Sequence, residues 1–258
     1  MPISVSIICF NEEKKIRRCL ESVKWADEIL ILDSFSTDKT LDICREYTDK
    51  IHQHEFDGHI QQKNRAISLC KYDWVFCIDA DEVVSEELKE SIKNLNTWAS
   101  ESMGFSFPRK VFYLGKWIKH GGWYPDYKVR YFHKKFGKWG GINPHDKVIL
   151  IGTSMKLRGD LLHYPYDSIK AHLDQVNKFT DIMAVEYAKI GEKPSLINFT
   201  LRPLFKFIKM YFLKRGFLDG KRGFIIAVIA SFYVFMKFAK LFENKIEEEA
   251  KDSEKGLS

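Results

Sequence analysis

The sequence predicts an α/β protein with a mixed, mainly parallel sheet, followed by C-terminal amphipathic and apolar helices. Three observations carry this. The first eighty residues switch repeatedly between apolar, β-branched runs and segments of helical periodicity. The runs are separated by candidate helices of roughly ten or more residues, the length of a crossover between parallel strands. Beyond residue 199, Phe, Leu and Ile are interleaved with Lys and Arg ahead of an uncharged apolar run.

SVSIIC (Ser4 to Cys9) reads as the first strand. Glu12 to Trp25 follows with Ile16, Cys19, Leu20 and Val23 at helical spacing and Asn11 in position to cap it. EILILD (Glu28 to Asp33) is a second strand, before a helix carrying Leu41 and Cys44 that Ser36 or Thr37 can cap. KIHQHEF (Lys50 to Phe56), GHIQQKNRAISLC and WVFCID (Trp74 to Asp79) continue the alternation as strand, helix and strand, and Ser85 to Leu95 as a further helix. Residues 104 to 150 crowd aromatic, Gly and basic residues together, with short strands at KVFYLG and YKVRYFH. This is a loop-rich extension of the sheet suited to a large polar ligand. The expected divisions are 1–98, 99–198, 199–242 and a charged tail at 243–258.

Composition bounds the rest. A chain of 258 residues, 45% hydrophobic and 29% charged, buries one large core, or one domain with an appendage, and is not disordered except at its end. Five cysteines without a C-x-x-C pair favour reduced core thiols in a cytosolic compartment, and MPISVSIICFNEE carries no export signal. The net charge of +6 is unevenly placed: Phe199 to Phe242 holds nine basic residues against one acid, Asp219. Basic and aromatic residues together suit nucleic acid or an anionic membrane. The long uncharged run among them wants lipid or core, which disfavours nucleic acid.

Ligands of a parallel sheet bind outside the carboxyl ends of its strands. Asn11 and Glu12 follow the first strand, Asp33 the second, Asp79 and Asp81 the fourth. The first turn, FNEEKK, lacks the glycines of a dinucleotide fingerprint or a P-loop, so those readings lose their support. VFCIDADE ends an apolar run in three carboxylates. A D-x-D at a strand end can hold Mg²⁺ or Mn²⁺ on the phosphates of a nucleotide; the plainer reading is a solvated turn before a helix. Asp33 can accept hydrogen bonds from a base or ribose, while Asp38 can serve as a helix cap. His52 and His54 alternate along one strand and would share a face.

SIICFNEE, ILDSFSTDKT, QKNRAI and CIDADE, in this order and spacing, resemble the sugar-nucleotide-binding half of family-two glycosyltransferases, which have the GT-A fold. GGWYPDYKVRYF, NPHDKV and GDLLHYPY resemble the bacterial subgroup that adds glucose to the inner-core heptose of lipopolysaccharide. The resemblance implies an inverting, metal-dependent hexosyltransferase. Asp33, with Asn11 and Glu12, would bind the uracil end of a UDP-sugar, and Lys63 would approach the nucleotide. Asp79 would hold ribose or metal-bound water, and Asp81 would ligate Mg²⁺ or Mn²⁺, with His163 as a further ligand or a core histidine.

Inversion requires a base, and two acids compete for that role. Asp146 stands where the subgroup carries His-Glu, one methylene shorter; Asp126 is the rival, or a turn acid paired with Lys128 or Arg130. Trp123 and Tyr124 could stack on acceptor sugars, and Arg109, Lys110, Lys119 and Arg130 could meet acceptor phosphates. The acceptor implied is a lipid-linked oligosaccharide at the cytoplasmic face of the inner membrane. Transfer to polyprenyl phosphate and a non-catalytic scaffold of the same fold are the alternatives. Phe224 to Met236, thirteen uncharged residues or about 20 Å of helix, falls short of a bilayer core of about 30 Å. Together with Arg202, Lys206, Lys209, Lys214 and Arg215 before it, this favours a peripheral dock on an anionic membrane surface, against a helical pair packed on the catalytic domain or in an oligomer.

Overall fold

Strand β1 (Ile3–Cys9) is buried along both faces because it runs through the middle of a sheet covered on both sides. In the computed structural model, which describes residues 1–95, 102–142 and 145–255, β1 pairs in parallel with β2 (Glu28–Asp33) and β4 (Trp74–Asp79). Strand β3 (Ile51–Gln53) extends the sheet beyond β2. Helices α1 (Ile16–Val23), α2 (Thr40–Arg45) and α3 (His59–Leu69) supply the crossovers.

After β4 the sheet changes sense. β5 (Glu82–Val84), α4 (Glu86–Lys93), β6 (Gly104–Tyr113), β7 (Lys116–Trp117) and β8 (Asp126–His133) follow, then β9 (Gly137–Ile142), β10 (His145–Leu150), β11 (Ser154–Lys156) and β12 (Leu161–His163). The order across the sheet is β3-β2-β1-β4-β8-β6-β12-β5, with β8 antiparallel to β4 and β6, β12 parallel to β6, and β5 antiparallel to β12. β9 and β10 form a separate hairpin. The mixed, mainly parallel sheet is therefore as expected, and the five cysteines are free and buried.

Of the expected caps, Asp38 is observed and Asn11, Ser36 and Thr37 are not. α1 starts at Ile16 without a side-chain cap, and Asn11, at φ 54°, turns its side chain to Thr37. Burying Ile16, Leu20 and Val23 stabilises the helix by roughly 1.5–3 kcal/mol each, against about 1 kcal/mol for a cap, so packing sets where α1 begins. At α2 it is Asp38, not Ser36 or Thr37, whose carboxylate accepts from the Thr40 N–H, at 2.9 Å. The third strand stops at Gln53, so His54 lies beyond it and turns Nδ1 to the Glu55 carbonyl at 2.6 Å. The face shared by His52 and His54 does not form.

The chain divides into two compact units, Met1–Phe112 with Pro125–Pro165, and Tyr113–Tyr124 with Tyr166–Ser258. The second contains α5 (Ile169–Lys189), α6 (Leu196–Phe199), α7 (Leu201–Ile208), a π-helical turn at Lys209–Leu213, a tight turn at Gly216–Asp219 and α8 (Lys221–Lys255). Residues 113–124 belong here because Tyr113, Ile118 and Trp123 share a core with Met210, Ile226 and Ala227. The division thus differs from the one expected at 198/199; the boundary expected at 98/99 and residues 256–258 of the tail lie outside the described residues. The apolar run Phe224–Met236 is part of one helix of 35 residues, and Lys221–Glu247 within it is long and apolar enough to cross a membrane. The argument from shortness therefore fails. One stripe of α8, including Ile226, Phe238 and Leu241, is buried, while Phe224, Val228, Phe232 and Phe242 are exposed.

His172 of α5 is buried in this second unit. Its Nδ1 lies 3.0 Å from the Tyr113 hydroxyl, and its ring stacks on Tyr166 at 4.1 Å. Burial pushes its pKa from the ordinary 6.5 down to about 4. Because the folded value is the lower one, the unfolded chain binds the proton first. The stability that comes from keeping His172 neutral is complete above pH 6.5 and is lost as pH falls from there towards 4. His172→Gln, which keeps a hydrogen-bonding side chain but does not titrate, should show a shallower fall of Tm with acidification across that window than the parent chain in thermal melts.

Candidate active site

Three strand ends lie side by side, Cys9 pairing with Asp33 and Ile8 with Asp79, so the ends of β2, β1 and β4 share one edge. The loops after β1 and β2 are laced together there. The Asn11 side-chain carbonyl accepts from the Thr37 N–H at 2.8 Å, and the Asn11 N–H donates to Ser36 Oγ at 2.8 Å. The Glu12 N–H donates to Thr40 Oγ1 at 2.8 Å. Asp33 is fully buried beneath this loop: Oδ2 accepts from the Ser36 N–H at 2.9 Å and from Gln53 Nε2 at 3.0 Å, while the Ser36 hydroxyl donates to Oδ1. The free carboxylate expected for a base is thus a loop anchor. It helps hold Phe35 at φ 62°, a left-handed conformation costing on the order of 1 kcal/mol in a residue with a side chain.

Beside β4, acids and bases alternate without a break. Lys63 of α3 places Nζ 2.9 Å from Asp146 and 3.0 Å from Asp79. Arg130 of β8 lies 3.1 Å from Asp79 and 3.5 Å from Glu82; Arg109 of β6 lies 3.8 Å from Glu82 and 3.5 Å from Asp126; Lys128 lies 3.1 Å from Asp126. Burial acts to raise the pKa of Asp79, but the Lys63 and Arg130 charges outweigh it and hold the group far below the usual carboxylate range. Glu82 is fully buried and accepts the Asp79 N–H at 2.9 Å. Trp139 of β9 lies under both cations, 4.3 Å from Lys63 Nζ and 4.8 Å from the Arg130 guanidinium. The Asn64 amide fixes it by bonding both its N–H and its carbonyl, at 2.9 and 3.0 Å.

This network redistributes the expected roles. Arg130, Arg109 and Lys110, expected at acceptor phosphates, are engaged by protein carboxylates, Lys110 by Asp160 at 3.1 Å. Asp126 pairs with Lys128, and with Arg109 where Arg130 was expected. Trp123 belongs to the second unit, edge-on to Tyr113 and His172 at 5.8 and 6.1 Å, so it is a packing residue there and not an open stacking platform. Tyr124 is half-buried in the same unit, and the Lys119 N–H donates to Asp219. Glu82 and Trp139 were missed. Glu82 was visible as the third carboxylate of DADE, whereas nothing around GKWGG marks Trp139.

Asp81 stands apart from the network. β12 runs antiparallel to β5 with His163 opposite Glu82, and the Tyr164 N–H donates to the Asp81 carbonyl at 3.0 Å. That register brings His163 Nε2 to 3.2 Å from Asp81 Oδ2. Burial again acts to raise the Asp81 pKa, and His163 overcomes it and lowers the value. A carboxylate oxygen and an imidazole nitrogen in contact are donor types that fit a divalent ion whose other positions would be filled by diphosphate oxygens and water. Asp79 does not fit as a ligand here, because both its oxygens face cations. No group of three or more His, Cys, Asp or Glu capable of holding a metal occurs among the described residues. Glu82 Oε1, Arg109 Nε, Arg130 Nη1 and His163 Nδ1 are buried without a hydrogen bond, and such atoms gather where a ligand completes the structure.

The profile of glycosyl transferase family 2 matches residues 4–148, more than half of the chain, and the chain belongs to that family. An uncharacterized glycosyltransferase of Rickettsia typhi is 31% identical over 253 residues, 93% of this chain and 87% of the relative. The lipopolysaccharide core biosynthesis glycosyltransferase LpsC of Rhizobium meliloti is 27% identical over 250 residues, 94% of this chain and 93% of LpsC. The crystal structure of S. aureus TarS 1–349 in complex with UDP-GlcNAc superposes with a TM-score of 0.50 at 14% identity, over 91% of this chain and 82% of that one. The fold is GT-A, and the enzyme class is glycosyltransferase.

Lys63 is the joint of the network, so Lys63→Met should lower unfolding free energy by about 3 kcal/mol, the scale of removing one partner from a buried ion pair. Urea denaturation measures this, and adding Asp146→Asn should restore part of the loss by removing the carboxylate that loses its ion pair, since Asp79 keeps Arg130.

Proposed function

We propose that the protein is a metal-dependent, inverting hexosyltransferase that moves glucose from UDP-glucose to a lipid-linked lipopolysaccharide inner-core oligosaccharide. The observation that supports this most is the division between the two acids of the D-x-D: Asp79 is paired with Lys63 and Arg130, and Asp81 with His163. In this reading the laced loops of Asn11, Glu12 and Asp33 seat the uridine. Asp81 and His163 hold Mg²⁺ or Mn²⁺, which when bound supplies positive charge to the departing diphosphate. Asp79 keeps Lys63 and Arg130 oriented at the donor's reacting end.

Asp146 is the proposed base. Its carboxylate lies 2.9 Å from Lys63 Nζ, and it takes the proton of the acceptor hydroxyl as that oxygen attacks in line, opposite the leaving group. Asp126, held between Arg109 and Lys128, is the weaker candidate because both its oxygens are already paired. The lipopolysaccharide acceptor is supported by the similarity to LpsC over nearly the whole of both chains. A peripheral position at the cytoplasmic face of the inner membrane is supported by exposed apolar side chains of the second unit, among them Leu204, Phe205, Phe212 and Leu213, beside Lys206, Lys209 and Lys214.

The test is transfer from UDP-glucose to purified truncated lipopolysaccharide, with NMR of the product reporting an inverted anomeric centre. Asp81→Asn should lower turnover by roughly 10²-fold, as when one group stabilising transition-state charge is lost. Asp146→Asn should lower it by about 10²- to 10⁴-fold with donor affinity unchanged, and Asp126→Asn should be much milder. Full activity of Asp81→Asn in EDTA would overturn the metal role, and the reverse ranking of the last two would move the base to Asp126.

A further inference from the structure

Within the second unit, Gly121 to Trp123, the end of α7, the π-helical turn and α8 enclose a pocket of about 190 Å³. Three of its lining residues are lysines, Lys206, Lys209 and Lys214, and no carboxylate lines it. Among the described residues none of the three ammonium groups makes an ion pair. Burial, and then the charges of Lys209 and Lys214, depress the pKa of Lys206.

The backbone goes to some length to assemble this arrangement. α7 passes into the π-helical turn, where the Lys214 N–H donates to the Lys209 carbonyl at 2.8 Å, five residues back. The next residue, Arg215, is left-handed at φ 55°, and Gly216 has no room for a Cβ, which would stand 2.7 Å from the Met210 carbonyl oxygen. The Lys214 carbonyl then accepts the Gly121 N–H at 2.8 Å. Gly122, at φ 80°, has the Lys214 ammonium so close that a Cβ would stand 2.8 Å from Nζ. These departures from regular helix converge on one result: Lys214 is held beside Lys206 and Lys209, where the three charges repel. An anion bearing several oxygens relieves that repulsion, and π-helical turns recur at functional sites.

The pocket is large enough for a phosphate group and too small for a nucleotide sugar. Its surroundings indicate where that phosphate resides: Leu204, Phe205, Phe212 and Leu213 are exposed on the same segment. Apolar side chains entering the acyl boundary would set the lysines at headgroup level. We propose that the Lys206, Lys209 and Lys214 pocket binds the phosphate group of a membrane lipid. The inference rests on the membrane reading above for the source of the phosphate, and is independent of the sugar transferred.

Sedimentation of the full chain with two kinds of phosphatidylcholine vesicle tests it, one containing phosphatidic acid and the other oleate, matched in surface potential. The wild-type protein should bind the phosphatidic acid vesicles roughly tenfold more tightly, the scale of a hydrogen bond to a charged group. Lys206→Gln with Lys214→Gln should bring that ratio close to one. Arg215→Gln with Lys221→Gln, an equal loss of charge outside the pocket, should weaken both kinds of binding and keep the ratio. Equal wild-type binding to the two vesicles, or loss of the ratio in the control pair, would reduce the pocket to part of a diffuse basic face. Calorimetric titration with inorganic phosphate separates the sources. Binding that disappears in the pocket variant, without any vesicle preference, would keep the phosphate site and overturn the lipid. Failure to bind either vesicle would overturn the membrane reading and the lipid source together.

Discussion

A single ammonium group, on Lys63, lies between Asp146 and Asp79, and the arrangement of the site depends on it. Each contact is worth about 5 kcal/mol of Coulomb energy at an effective dielectric of 20, before desolvation is subtracted. The side chain is nearly buried, so water relieves little of it. The same group ties α3 to the β9–β10 hairpin and to the end of β4, three elements far apart in sequence. Trp139 below and Asn64 alongside leave Lys63 little freedom to choose other partners.

An apolar strand ending in a cluster of negative charge poses a physical problem, and the protein solves most of it internally. Asp79 is matched by Lys63 and Arg130, and Glu82 by Arg130 and Arg109. Only Asp81 is left with a histidine as its neighbour. The motif therefore contains two different carboxylates. One is a structural counter-ion that aims two cations, and the other is available to a ligand. A pair of acids that both awaited metal would have left Lys63 and Arg130 without the carboxylate that now orients them.

The strands Glu28–Asp33 and Trp74–Asp79 were legible to the residue, because a strand buried on both faces leaves an unbroken apolar run that ends where the backbone reaches solvent. The start of α1 was not: the spacing of Ile16, Leu20 and Val23 marked its buried face, but burial of Ile16 and not a cap at Asn11 sets where it begins. At the site, residue types and strand ends were readable: Asp79, Lys63 and Asp146 come together, and Asp81 meets His163. Pairing was not. Which carboxylates Arg109 and Arg130 each face depends on the antiparallel register of β8 and β6, and this is set by a sheet that changes sense after β4. Trp123 was expected to stack on acceptor sugars; its partners Tyr113 and His172 come from segments that only the tertiary structure joins.

The position of β12 within the sheet has a consequence for how the protein comes into being. The parallel half, β1 to β4, is built from local crossovers and can form early in synthesis, whereas β12 inserts between β6 and β5 only after residue 163 has emerged. A nascent chain that ends before β8 already carries Asp79, Asp81 and Glu82, but of their cationic partners it has only Lys63 and Arg109. Arg130 arrives with β8 and His163 last of all. Asp81 and Glu82 are therefore made before their partners, and the pairing of Asp81 with His163 comes with the last strand of the sheet.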